Sequence, residues 1–130
     1  MSEHSPALDV ARAYLTALDT HDMATVARYL AEDVVFDSPI QHHTSSKTLL
    51  PALAAFGEMQ AGDIQMIAAF GDQDQALVLF DVPTGPFGTL RTAVHYTVRD
   101  GKIQTANPVF DATAVNTAQA AQAQPAGATE

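Results

Sequence analysis

The chain has 130 residues, the size of one ordinary domain. A hydrophobic fraction of 47% supplies a core, while the mean hydropathy of +0.01 and the lack of any run near the roughly 18 apolar residues of a spanning helix argue against a membrane protein. A net charge of −9, from 6 basic and 15 acidic residues, opposes nucleic-acid binding, and the absence of cysteine excludes disulfides, thiolate metal sites and cysteine nucleophiles.

Met1-Ser2-Glu3-His4-Ser5-Pro6 carries no basic stretch leading into an apolar one, so no secretory signal is read and a cytoplasmic location is expected. Ser5-Pro6 is a helix start, because serine caps and proline fits a first turn. Leu8, Ala11, Leu15 and Leu18 then repeat at helical spacing, and the helix is expected to run to about Asp19. Thr20-His21-Asp22 breaks it, and Asp22 caps a second helix with Met23, Val26, Ala27 and Leu30 on one face. A short strand follows from Val34 to Asp37, ended by Ser38-Pro39. Residues 40–47 read as loop. A third helix is expected from about Thr48 to Gln60, with Pro51 in its first turn.

Strands fill the rest. Ile64–Phe70, Ala76–Val82, Leu90–Val98 and Ile103–Phe110 are apolar runs separated by turn chemistry. Ala76–Val82 is apolar at successive positions, as expected of a strand covered on two sides. Asp100-Gly101 between two such runs signals a tight hairpin. Helices first and strands afterwards indicate an α+β fold. From Ala112 the chain is mostly Ala, Gln, Thr and Asn, so a domain over 1–112 and a low-complexity tail over 113–130 are expected.

The two-helix opening with Tyr14, the run Tyr29-Leu30-Ala31-Glu32-Asp33-Val34-Val35-Phe36, the following Ser38-Pro39, and Arg99-Asp100-Gly101-Lys102-Ile103-Gln104 together resemble the nuclear transport factor 2-like superfamily. That superfamily includes ketosteroid isomerases, SnoaL-like polyketide cyclases and limonene epoxide hydrolases. The resemblance implies a cone-shaped α+β barrel, with three N-terminal helices packed on a strongly curved, mostly antiparallel sheet around a pocket. It also implies a small apolar ligand or substrate, no cofactor, and a homodimer through the outer sheet face. It does not fix an activity, because one fold hosts many.

The resemblance assigns candidate residues. An isomerase moves a proton with a carboxylate base while a tyrosine and a protonated acid donate hydrogen bonds to the enolate oxygen. Tyr14 matches the oxyanion tyrosine. The base position falls on Ser38, with Asp37 one residue earlier, and the acid position falls near Val94-His95. Tyr14, Asp37 and His95 are therefore the catalytic candidates. Neighbouring strand residues point to opposite faces, so Asp37 reaches a pocket faced by Ser38 only if a bulge or the bend at Pro39 turns it inward. His95 alternates in the same way with Val94 and Tyr96. Ligand-contact candidates are Phe36, Ser38, His42, His43, Phe56, Phe80, Tyr96 and Phe110.

Adjacent histidines do not readily share one ion, so His42-His43 is read as pocket rim and no metal site is expected. Asp111 closes the last strand without matching the acid of the SnoaL-like cyclases, and Asp81 is an acid at the end of an apolar strand. Three readings follow: a cofactor-free acid/base enzyme, a non-catalytic ligand-binding or dimerising module, and an interaction domain using the outer sheet.

Overall fold

A computed structural model describes residues 5–113, so the expected tail lies outside the described residues from 114 on. Helix α1 spans Pro6–Asp19, α2 Met23–Arg28 and α3 Ser46–Gly57. The strands are β1 Leu30–Asp37, β2 His42–His43, β3 Gln65–Gly71, β4 Gln75–Thr84, β5 Gly88–Arg99 and β6 Lys102–Phe110. The three helices and the strand-rich second half are those expected, with a longer β1 and one strand pair inside the stretch read as loop. There Ser38 N–H donates to the Gln41 carbonyl and folds His42-His43 back onto Phe36-Asp37.

The N-terminus is fastened by one serine. Ser5 Oγ accepts from Leu8 N–H, capping α1, and donates to the Asp72 carbonyl at 2.6 Å. Helix α1 is thereby tied to the β3–β4 turn, 67 residues away. Ala7, Ala11, Tyr14, Leu15 and Ala17 form its buried stripe. Asp22 caps α2 and Ser45 caps α3, each accepting from the backbone N–H three residues on. Because Ser45 caps, α3 begins two residues before the expected Thr48. Pro51 is then in the second turn, where it removes one intrahelical hydrogen bond from an exposed face.

The six strands form one sheet in the order β2-β1-β6-β5-β4-β3. Only β1 and β6 run parallel. The β5–β6 hairpin turns on Asp100 and Gly101, both at positive φ (56° and 74°), the signature of a type I′ turn. Register shifts fall in β1 between Leu30 and Val35, in β3 between Met66 and Ala68, and in β6 between Ile103 and Thr105. Such bulges bend a strand and raise its twist, which lets the sheet curve around α1 and α3. The result is an α+β cone with its core between helices and concave face.

The convex face stays outside. β4 was expected to be covered on both sides, but in the single chain Leu77 is 49% exposed. Phe70 and Val109 are more exposed still, at 69% and 64%. Among the described residues no helix is long and apolar enough to cross a membrane.

Gly71 shows how tightly α1 is seated. A Cβ there would lie 2.6 Å from Ser5 Oγ and 3.0 Å from both the Gln75 carbonyl and Leu8 Cβ. Gly71→Ala should therefore destabilise the fold by about 1–3 kcal/mol, the usual cost of forcing extra volume into a packed site. Urea unfolding measures this, and a wild-type midpoint would contradict the seating described.

Candidate functional site: an apolar cavity with two free phenols

Between the concave face and the helices lies a cavity of about 150 Å³. Helix α1 contributes Tyr14, Leu15 and Leu18, and α3 contributes Leu49, Ala52, Leu53, Phe56 and Gly57. Alternate residues of the strands complete the wall: Phe36 from β1, Phe80 and Val82 from β4, Leu90, Thr92, Val94 and Tyr96 from β5, and Pro108 and Phe110 from β6. Spacing by two is what a strand gives to one face.

Tyr14 and Tyr96 are each 2% exposed and meet edge to face, with ring centroids 5.8 Å apart. Neither hydroxyl has a hydrogen-bond partner among the described residues. Yet no polar side-chain atom is sealed in the core without one. Both phenol oxygens must therefore open onto the cavity. Burial pushes the Tyr14 hydroxyl far above its ordinary range. Burial also raises Tyr96, with a smaller contribution from Tyr14. Both phenols thus stay protonated and act as donors.

The remaining polar lining is thin: His21, Ser38, Gln41, Gln60 and Thr92. Among the described residues no Asp or Glu lines the cavity. Ser38 is there, but its hydroxyl closes a turn, accepting from Ile40 and Gln41 N–H and donating to the Gln41 carbonyl. Gln60 Nε2 donates to Asp19 Oδ1 and to the Gly62 carbonyl, both at 2.7 Å, while Ile64 N–H donates to the same Asp19 oxygen at 2.9 Å.

The structure divides the residues singled out by sequence. Tyr14, Phe36, Ser38, Phe56, Phe80, Tyr96 and Phe110 surround the cavity. Asp37, His42, His43 and His95 do not. No bend at Pro39 turns Asp37 inward: it keeps strand parity, is exposed, and stands 3.6 Å from His42 Nδ1. His43 is held between Gln41 Oε1 and Thr48 Oγ1, with its ring 6.0 Å from that of Phe36. His95 is on the convex face, 2.9 Å from Gln75 Oε1. Asp81 is there too, in a two-point pair with Arg91 at 2.8 and 2.9 Å that holds its carboxyl below the usual range. Asp111 is exposed, and its carboxyl is lowered by hydrogen bonding from Thr113. Among the described residues no group of three His, Asp or Glu side chains is placed to share a metal ion.

His21 and Gln60 were not singled out by sequence. For His21 the spacing only hinted at it: Tyr14, Leu18 and His21 stand at i, i+4 and i+7, but α1 ends at Asp19 and His21 reaches the cavity through the left-handed turn that follows. The break at Thr20-His21-Asp22 hid it. Gln60 shows no such pattern, because its role comes from a partner 41 residues away.

Known proteins agree with this architecture. A crystal structure of a protein from Kribbella flavida DSM 17836 superposes with a TM-score of 0.83 at 31% identity, covering 90% of this chain and 96% of that one. A nuclear transport factor 2-like protein of unknown function from Cytophaga hutchinsonii ATCC 33406 gives 0.73 at 16% identity, covering 89% and 99%. A limonene epoxide hydrolase-like epoxide hydrolase of M. tuberculosis gives 0.71 at 20% identity, covering 86% and 87%. The last two likenesses speak for the fold alone. No curated protein matches the chain. The SnoaL-like domain family matches residues 11–106, and the chain belongs to that family.

Proposed function

We propose that the chain binds a small, mostly apolar molecule and holds one of its oxygens, a carbonyl or an ether, between the hydroxyls of Tyr14 and Tyr96. The observation that carries this reading is the pair of buried, unpartnered phenols opening onto an otherwise apolar cavity. Phenols that stay protonated offer two donors to one acceptor. A buried donor without a partner costs about 1–3 kcal/mol, which a ligand oxygen would relieve. The epoxide hydrolase among the structural relatives acts on a compound with such an oxygen.

Binding is favoured over the isomerase mechanism because that mechanism needs a carboxylate beside the ligand. Asp37 and His95 lie off the cavity, and no described carboxylate replaces them. Cofactor-free acid/base catalysis is the second reading. It has one observation in its favour, that His21 gives the lining a side chain able to take or give a proton. The domain responsible is proposed to be residues 1–112.

We propose further that the convex face pairs two copies. Phe70, Leu77 and Val109 are exposed there, beside the hydrogen-bonded His95–Gln75 pair and the internally balanced Asp81–Arg91 pair. A face with balanced charge and exposed apolar groups can meet itself across a two-fold axis.

Two experiments test these readings. Camphor should bind more tightly than its hydrocarbon counterpart camphane, by about fivefold per hydrogen bond made. Tyr14→Phe and Tyr96→Phe should each shrink that difference in calorimetric titration. Neither variant should be less stable than wild type, since neither hydroxyl has a bond to lose, and loss of an unpartnered donor should stabilise the empty protein by up to about 1–3 kcal/mol. Equal affinity for ketone and hydrocarbon in the wild type would sink the phenol reading. In sedimentation, the wild type should run as a dimer and Leu77→Asp as a monomer. A wild-type monomer at all concentrations would sink the pairing.

A further inference from the structure

Helix α1 closes with a glycine-type cap that contains no glycine. His21 N–H donates to the Leu18 carbonyl and Asp22 N–H to the Ala17 carbonyl, the crossed pair of a Schellman motif. His21 occupies the position that motif reserves for a left-handed residue, at φ 60°. Glycine adopts that conformation freely, whereas a side chain is strained there. The reverse substitution is found across the cavity rim. Gly57 ends α3, where alanine would favour the helix. A Cβ on Gly57 would lie 3.0 Å from His21 Nδ1 and 3.3 Å from Cε1. Two local costs thus accompany one outcome: an imidazole lying against Gly57 in the cavity lining. His21 is exposed at the cavity rim, and neither nitrogen of its ring has a hydrogen-bond partner among the described residues.

Gln60 is beside it, three residues beyond Gly57 and tied to it by the Gln60 N–H donating to the Gly57 carbonyl. Its side-chain orientation is dictated. Both amide hydrogens go to acceptors, Asp19 Oδ1 and the Gly62 carbonyl, so the reversed amide would set oxygen against oxygen. Gln60 Oε1 is left without a partner among the described residues, on a residue that lines the cavity. The corner therefore offers one fixed acceptor and one imidazole. With the Asp19 carboxylate behind it, it suits a neutral donor and repels an anion.

We propose that His21 and Gln60 form a second recognition pole, which selects ligands bearing a neutral hydroxyl at the end remote from the oxygen held by the tyrosines, Tyr14 lying within α1 and His21 just past its C-terminal cap. The hydroxyl donates to Gln60 Oε1 and engages a His21 ring nitrogen as donor or acceptor according to tautomer. This inference rests on the Tyr14–Tyr96 reading and deepens it from an oxygen-bearing apolar molecule to an elongated one with oxygen at both ends.

The test uses the full chain and two ketones, a para-hydroxyphenyl butanone and its deoxy counterpart benzylacetone, compared by isothermal titration calorimetry. The hydroxylated ketone should bind about fivefold more tightly to the wild type. His21→Gly and Gly57→Ala should each narrow the gap between the two affinities, with the bond to Gln60 Oε1 left in place, while both ketones still bind. His21→Gly should also raise Tm, by about 3 °C, by relieving the left-handed strain. A ring that served only to pack the rim would instead lower Tm when removed, and that result overturns the inference. So does equal affinity for the two ketones in the wild type, or a preference undiminished by both substitutions; in those cases benzylacetone binding leaves the tyrosine reading standing. Failure of either ketone to bind overturns both.

Discussion

Successive side chains of a strand leave on opposite faces, and here that alternation sorts the chemistry of the whole molecule. The concave face of the sheet must be apolar to pack on α1 and α3, so Val34 and Phe36 in β1, and Val94 and Tyr96 in β5, face inward. Their neighbours Asp37 and His95 are then held outward. A one-residue slip in either strand would exchange the sets, placing a carboxylate or an imidazole in the cavity and an aromatic ring in water. Burying Val94 and Tyr96, at 3% and 2% exposure, holds the register of β5 against that slip.

The cavity that results is neutral. The 15 acidic residues give the chain its net charge of −9, yet those near the site are turned away from it. Asp37 stands by His42, Asp81 is bound by Arg91, and Asp19 is occupied by Gln60 and Ile64 behind the wall. A carboxylate in the cavity would be desolvated and need a counter-charge, and among the described residues the lining offers neither lysine nor arginine. Phenols meet that environment differently. Desolvation raises their pKa and so preserves them as donors. The surroundings that would oppose an ionised base thus favour two neutral donors.

Much of the fold was legible because local rules and tertiary packing agree. The Ser5-Pro6 start, the Asp22 cap and the Asp100-Gly101 turn each obey short-range physics, and each is present as read. The aromatic lining was named through the family resemblance, while the parity that separates Tyr96 from His95 was left open. What was hidden depends on distant partners or on a broken local rule. The His42-His43 strand exists because Ser38 organises the turn that returns it to Phe36. The α3 start moved because Ser45 caps, leaving Pro51 in a second turn that local propensity would not choose. His21 was read as a helix stop. It is one, but the same backbone turn that stops the helix aims its ring at the cavity.

Local rules are broken for different reasons, and the surroundings tell them apart. Pro51 is exposed and does not line the cavity, so its cost has no counterpart in the site. Gly71 is a glycine because α1 leaves no room for a Cβ, a packing reason complete in itself. His21 and Gly57 differ from both. Exchanging their identities would satisfy the helix cap and the helix end together, yet the chain holds each residue where the other is locally preferred. The two touch, and both face the cavity. A pair of costs that would vanish on exchange, both in the cavity lining, is the kind of local strain from which a functional role is proposed rather than a packing one.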